Sequence, residues 1–173
     1  MGPVVRLGTP HDALAIARVH VEAWQSAYRG QIPDAVLAAL DVSQRAQTWV
    51  ERLAVPHHGI RVVANEGAVV GFCDVMRSRD ADAEPGTAEV TALYVQPASW
   101  GSGLGRLLLD ASISAARRHG QHALTLWVLE SNAPARRFYE HLGLAPDGAT
   151  QILVRRGYSV QEVRYRIELE RAA

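Results

Sequence analysis

The stretch from Glu89 to Leu109 constrains the fold more than any other part of the chain. Residues 89–95 read as a β-strand. Three glycines then alternate, Gly101, Gly103 and Gly105, and an amphipathic helix over 103–119 begins among them. Leu104, Leu107, Leu108, Ala111 and Ala115 share one of its faces. Glycine lets a ligand approach the backbone closely, and a helix start adds unpaired N–H donors and positive dipole charge. That pairing suits a pyrophosphate. A P-loop would end in Gly-Lys-Ser/Thr, whereas Gly105-Arg106-Leu107 stands here. A dinucleotide site needs Gly-x-Gly-x-x-Gly and more βα units behind it. Taken alone, the glycines also fit a tight turn that binds nothing.

Around this unit the chain alternates helix and strand signals. Val4 and Val5 start a short strand that stops at Gly8. Thr9 offers an N-cap with Pro10 just inside the helix. Leu14, Ala17, Val21, Trp24 and Tyr28 follow on one helical face up to Gly30. A short helix is predicted over 33–40 and a third after Ser43 as cap, carrying Ala46, Trp49, Val50 and Leu53. Residues 56–59 break the pattern. Residues 60–64 and 68–76 form a hairpin about Asn65-Glu66-Gly67, and 79–86 form an acidic loop. Residues 123–129 are a strand, 132–142 a helix closed by Gly143, and 152–154 a strand. Over 161–169, Val163, Tyr165, Ile167 and Leu169 alternate inward against outward Glu162, Arg164, Arg166 and Glu168. The exposed alternation suggests an edge that could serve a homodimer. The expectation is α/β (α+β): one domain over 1–173, a mixed central sheet with helices on both faces, and a parallel crossover between 89–95 and 123–129.

Composition narrows the function classes. Lys plus Arg number 18 and Asp plus Glu 18, without the basic excess of a nucleic-acid binder. No apolar run is long enough to span a membrane, and Met1 to Leu7 carries no secretory pattern. Arg6 stands where a myristoylation signal needs Ser or Thr. The single cysteine, Cys73, permits no internal disulfide and suits a reducing compartment. A soluble cytoplasmic protein is expected. His57-His58 are adjacent rather than at a metal-ligand spacing, so no metal is expected. Cys73 sits among apolar strand residues and reads as an inert buried thiol.

The glycine turn and a second segment, Asn132-Ala133-Pro134-Ala135-Arg136-Arg137-Phe138-Tyr139-Glu140-His141-Leu142-Gly143, together resemble the GCN5-related N-acetyltransferase (GNAT) superfamily. Its cofactor turn reads Arg/Gln-x-x-Gly-x-Gly/Ala, which Trp100, Gly103 and Gly105 match except at the first position. Its later motif reads Asn…Phe-Tyr-Glu-x-Leu-Gly. The order of the remaining elements is similar to the family's as well. The resemblance implies acetyl-CoA as cosubstrate and acetyl transfer to a primary amine by direct attack. The cofactor would rest on the N–H groups of Gly101, Ser102, Gly103, Leu104, Gly105 and Arg106, with Asn132 also touching it. The backbone of Leu93, Tyr94 and Val95 would pair with the pantetheine arm like an added strand. The Val95 N–H would face the oxyanion.

Acetyl transfer from a thioester to an amine needs the amine deprotonated, the oxyanion stabilised and the thiolate reprotonated. By resemblance Tyr139 is the acid; on periodicity alone it would be a core aromatic. Glu89 is the candidate base, direct or through water; a solvent-facing strand glutamate is the other reading. Glu89, Thr91, Leu93 and Val95 are predicted to share one strand face. Asn132 is also a good N-cap. The amine would lie beneath the first helices, with Trp24, Tyr28 and Arg29-Gly30-Gln31 as linings, and Asp80, Asp82 and Glu84 could attract a cationic substrate. A non-catalytic acyl-CoA sensor, or an interaction module without CoA, would keep the fold and lose the chemistry.

Overall fold

The computed structural model describes residues 2–55, 59–155 and 157–169. Among these residues seven strands form one sheet: β1 (Val4–Leu7), β2 (Arg61–Asn65), β3 (Ala68–Arg77), β4 (Thr87–Val95), β5 (Ala123–Leu129), β6 (Ala145–Arg155) and β7 (Tyr158–Glu168). Their spatial order is β1-β2-β3-β4-β5-β7-β6. Every neighbouring pair is antiparallel except β4 and β5, which are parallel and joined by the expected helical crossover. The helices are α1 (Ala13–Ala27), α2 (Asp34–Ala38), α3 (Val42–Leu53), α4 (Leu104–Arg118) and α5 (Ala133–His141). No described helix is long and apolar enough to cross a membrane.

The sheet separates two cores. On one face α4 packs Leu104, Leu108, Leu109, Ile113 and Ala116 against Val90, Leu124 and Leu126, with Phe138 and Tyr139 of α5 at the margin. On the other, Ile16, Ala17 and Trp49 of α1 and α3 pack on Val62, Phe72 and Ala92. Each buried leucine or phenylalanine contributes roughly 1.5–3 kcal/mol. Both helical stripes are rotated from the periodicity reading. Leu14 and Leu107 are exposed at 47% and 38%, while Ala13, Ile16, His20 and Ala23 of α1 are buried. Small residues and a histidine fill these inward positions, and a hydrophobicity count underweights them.

Three local expectations change. Asp41 rather than Ser43 caps α3, its carboxylate accepting from the Gln44 N–H at 2.6 Å. A 3-10 turn at Pro10–Asp12 precedes α1, and the Thr9 N–H donates to Asp12 at 2.8 Å. β6 is far longer than residues 152–154. Pro146, Asp147 and Gly148 carry turn chemistry, yet β6 is the edge strand and absorbs them as an irregularity between Pro146 and Thr150. That also corrects the expected edge: β7 lies inside the sheet, between β5 and β6.

The feature that positions the site is one extra residue in β4. Asp74 pairs with Ala92 and Val75 with Val90, so Thr91 has no register partner in β3 and forms a β-bulge, its hydroxyl donating to the Asp74 carboxylate at 2.8 Å. Before it, Ala88 and Val90 point into the α4 core. After it, Leu93 and Val95 point there and Ala92 and Tyr94 point to α1. Glu89 therefore does not share a face with Leu93 and Val95, as simple alternation predicts. β4 and β5 stay paired only over Thr87–Val90 and residues 123–126, then diverge. The result is a wedge open at the C-terminal ends of two parallel strands.

Candidate active site

The wedge has an exposed backbone edge. The Gln96 N–H donates to the Val70 carbonyl at 2.8 Å, so in this antiparallel ladder Gln96 and Tyr94 face β3, while Leu93 and Val95 turn their N–H and C=O groups toward the gap. Tyr94 is thus corrected as a backbone contributor: its main chain belongs to the pair with Phe72. One of the gap-facing groups is already used, because the indole N–H of Trp100 donates to the Val95 carbonyl at 2.7 Å. The Leu93 groups and the Val95 N–H remain for an added strand.

At the end of this edge the chain enters the glycine turn. Gly101 and Gly103 adopt φ of 75° and 83°, the left-handed region that side chains with a Cβ avoid. Gly103 caps α4. Gly105 is small for another reason: a Cβ there would lie 3.2 Å from the Phe138 ring of α5. No protein acceptor among the described residues takes the N–H groups of Gly101, Ser102, Gly103, Leu104, Gly105 and Arg106. The Ser102 hydroxyl is spent on the Ser99 carbonyl at 2.5 Å, and the Arg106 guanidinium lies 3.4 Å from Asp110. Six N–H donors without a protein acceptor at a helix start fit a pyrophosphate. A groove of about 690 Å³ runs from this turn along Leu93, Val95, Pro134 and Phe138 to Tyr139.

A second cavity, about 440 Å³, opens on the other side of the wedge. Both cavities are lined by Leu93, Val95, Asn132, Ala135 and Tyr139, so they meet at the gap-facing edge of β4. Tyr139 is half-buried. Its hydroxyl has no hydrogen-bond partner among the described residues, and burial raises its pKa above the usual phenol value. Asn132 caps α5, its side-chain oxygen accepting from the Ala135 N–H at 3.3 Å.

Glu89 lines this second cavity and is only 4% exposed, which removes the solvent-facing reading. Arg79 clamps it: the guanidinium donates to one carboxylate oxygen at 2.8 Å and to the other at 3.3 Å, and the Arg79 backbone N–H adds a third bond at 3.2 Å. Trp24 and Tyr28 line the cavity too. The Tyr28 and Tyr94 hydroxyls lie 3.1 Å apart, and Tyr94 stacks on buried His20 at 5.0 Å between centroids. Burial raises both phenol pKa values, with the charge of Glu162 adding to the effect. His20 accepts from the Trp49 indole at 3.2 Å, and burial lowers its pKa to about 3. Gln31 bridges to Ser131 at 2.6 Å, tying the loop after α1 to the start of α5.

Several expectations resolve differently. Asp80 and Asp82 are not free to draw in a substrate, because Arg164 binds them at 3.1 and 2.7 Å and also holds Asp147 at 2.6 Å. Cys73 is the buried, inert thiol expected, and that burial raises its pKa to about 12. His57 and His58 lie outside the described residues. Sequence reasoning missed Arg79, Trp127, Gln151, Arg155, Tyr158 and Glu162, all of which line the second cavity. Only the outward phase of Glu162 hinted at its place; Trp127 lies on β5 beside the gap, and the others depend on which loop or hairpin folds over the wedge.

Comparison with known proteins agrees with this geometry. Residues 20–144 match the Acetyltransferase (GNAT) family. The chain is 31% identical to the uncharacterized N-acetyltransferase YuaI of Bacillus subtilis over 137 residues, 79% of this chain and 76% of that one. It is 34% identical over 95 residues to the L-methionine sulfoximine/L-methionine sulfone acetyltransferase of Salmonella typhimurium, covering 55% of each. Among solved structures it superposes with a TM-score of 0.75 on yncA of Salmonella typhimurium, solved with its cofactor acetyl-CoA, at 25% identity over 100% of this chain and 97% of that one. The PaiA N-acetyltransferase of Thermoplasma acidophilum, solved with coenzyme A, gives a TM-score of 0.74 over 95% of this chain and 98% of that one; at 16% identity it speaks for the fold alone.

Proposed function

The chain belongs to the GNAT family of acetyltransferases, and from that membership we propose that it transfers the acetyl group of acetyl-CoA to a primary amine by direct attack, residues 1–173 acting as one N-acetyltransferase domain. The observation that carries this reading is the meeting of two cavities at Leu93, Val95 and Tyr139. The pyrophosphate rests on the N–H groups of residues 101–106, and the pantetheine arm pairs with the Leu93 edge. The acetyl group then reaches the seam, where the Val95 N–H donates to the thioester oxygen. The amine enters from the cavity lined by Trp24 and Tyr28 and attacks the carbonyl carbon. Glu89, held by Arg79, takes the amine's proton through water. The C–N bond closes first to give a tetrahedral adduct; the C–S bond then breaks, Tyr139 donating to the departing sulfur as the adduct's nitrogen gives up its remaining extra proton.

The raised pKa of Tyr139 fits that role in one respect and limits it in another. The phenol stays protonated at any working pH. A full proton transfer to sulfur, whose thiol titrates at about 8.5, is favourable only as the phenolate is refilled from the nitrogen of the tetrahedral adduct. A cytoplasmic location, where acetyl-CoA is supplied, goes with this reading, and a homodimer would use β6 as its edge.

Calorimetry with acetyl-CoA, followed by thiol release over a panel of primary amines, tests the proposal. Micromolar binding and release with at least one amine are expected. Tyr139→Phe should then lower kcat by about 10- to 100-fold while acetyl-CoA affinity holds. Absence of binding would remove the function. Binding without release for any amine would favour an acyl-CoA sensor.

A further inference from the structure

The acceptor cavity has one wall of unusual order. β6 and β7 form a hairpin that reaches beyond the end of β5, and alternate residues of both strands face the cavity. The register sets them in three rungs: Gln151 opposite Glu162, Leu153 opposite Val160, and Arg155 opposite Tyr158. The inner rung is acidic. Glu162 accepts from the Gln151 amide at 2.8 Å, and no cation among the described residues pairs with it. Glu162 sits opposite Leu129, level with the stretch where β5 has left β4, and its charge reaches the Tyr28 and Tyr94 hydroxyls. The middle rung is apolar. The outer rung is cationic and aromatic: the Arg155 guanidinium donates only to the carbonyl of Val154, at 3.1 Å, and no described carboxylate pairs with it.

The other charged pair of the cavity is different, since Arg79 and Glu89 neutralise each other. Glu162 and Arg155 are thus the two charges on the cavity wall without an ionic partner among the described residues. They stand two rung steps apart, about 13 Å along the strands at 3.3 Å per residue. Both side chains are long enough to lean along the wall, which shortens the span a bound molecule has to bridge.

We propose that the acceptor is an elongated amino-carboxylate, an ω-amino acid or short peptide, whose ammonium is held by Glu162 and whose carboxylate is held by Arg155 at the mouth. Its apolar middle lies against Leu153 and Val160. Glu162 is then an acceptor-binding residue distinct from Glu89, and Arg155 selects what the amine is attached to. This rests on the acetyltransferase reading above.

Three amines of matched length separate the possibilities: 6-aminohexanoate, hexylamine and 1,6-diaminohexane, each assayed by thiol release with acetyl-CoA. The expected kcat/KM is at least tenfold higher for 6-aminohexanoate than for either of the others. Arg155→Gln should collapse that preference to within twofold, and Glu162→Gln should lower kcat/KM for 6-aminohexanoate at least tenfold, with acetyl-CoA KM unchanged in both. Glu162→Asp should recover part of the loss. Equal turnover of hexylamine by the unaltered protein, a preference that survives Arg155→Gln, or a Glu162→Gln effect within twofold would each overturn the inference. So would turnover of none of the three alongside acetyl-CoA binding and activity on other amines, which would leave the acetyltransferase reading intact. Failure to bind acetyl-CoA would bring down both.

Discussion

The two cavities that meet at Tyr139 are built in opposite ways. The groove proposed for the cofactor is made mainly of backbone: six N–H groups at residues 101–106 and the gap-facing edge of Leu93 and Val95, closed mainly by small or apolar side chains. The acceptor cavity is made of side chains. Trp24, Tyr28, Tyr94, Trp100, Trp127, Tyr139 and Tyr158 all line it, which leaves only Trp49 and Tyr165 among the chain's four tryptophans and five tyrosines elsewhere. A backbone site tolerates sequence change as long as the conformation is kept, and it binds a cosubstrate that does not vary. A side-chain site can be respecified by a few substitutions, and it faces the substrate that does vary.

That contrast can be broken from either side. Gly103→Val should produce the largest effect. A β-branched residue at φ 83° is strained by about 1–2 kcal/mol, and it swings the N–H cradle out of line; acetyl-CoA affinity should fall about 30-fold or more by calorimetry. A binding constant within threefold of the unaltered protein would mean that side chains hold the pyrophosphate after all.

Acid should act on the other side. His20 supports the acceptor cavity from behind Tyr94, and its pKa is about 3 folded against an ordinary value near 6.5. Between those values the unfolded chain binds a proton that the folded chain refuses. Stability is therefore complete above pH 6.5 and declines as pH falls toward 3. At pH 5.5 the loss is about 1.4 kcal/mol, and His20→Gln should flatten it in urea melts at pH 8 and 5.5. Asp12, lowered to about 2 mainly by its hydrogen bonds with Arg6, loses its contribution as pH falls from the ordinary carboxylate value of 3.8 toward 2, so at pH 5.5 the His20 effect stands apart from it.

Trp100→Phe should give the smallest change. It removes the 2.7 Å bond to the Val95 carbonyl, worth about 1 kcal/mol, and should raise acetyl-CoA KM about fivefold with kcat little altered. A large kcat loss would show that the indole positions the reacting edge rather than only tethering the turn.

The same contrast explains what was legible in the sequence. Gly101, Gly103 and Asn132 announced themselves because backbone conformation leaves marks in residue type, glycine at positive φ and asparagine at a cap, and Gly105 because a close approach to Phe138 demands the smallest residue. Residues 93–106 and 132–142 are also continuous, so the groove could be read as two runs of text. The acceptor cavity gathers side chains from α1, the loop before β4, β4, β5 and the β6–β7 hairpin, and no local pattern says that these meet. Arg79 clamps Glu89 from a loop whose path the sequence does not fix. The bulge at Thr91 left no mark either, because Thr91 is an ordinary strand residue, and its omission put Glu89 on the wrong face.

The bulge also changes what kind of accident the strand can survive. Loops in this fold can gain or lose a residue and merely alter reach. β4 counts in parity. Removing Thr91 would leave Ala92 opposite Asp74 and every later pairing as it is, whereas drawing Thr91 into the ladder would exchange the roles of every residue after it: Leu93 and Val95 would turn their amides to β3, and Tyr94 would take their place at the gap. Whether one residue stands in the ladder or out of it, with no functional group of its own in the reaction, decides which amides a cosubstrate meets.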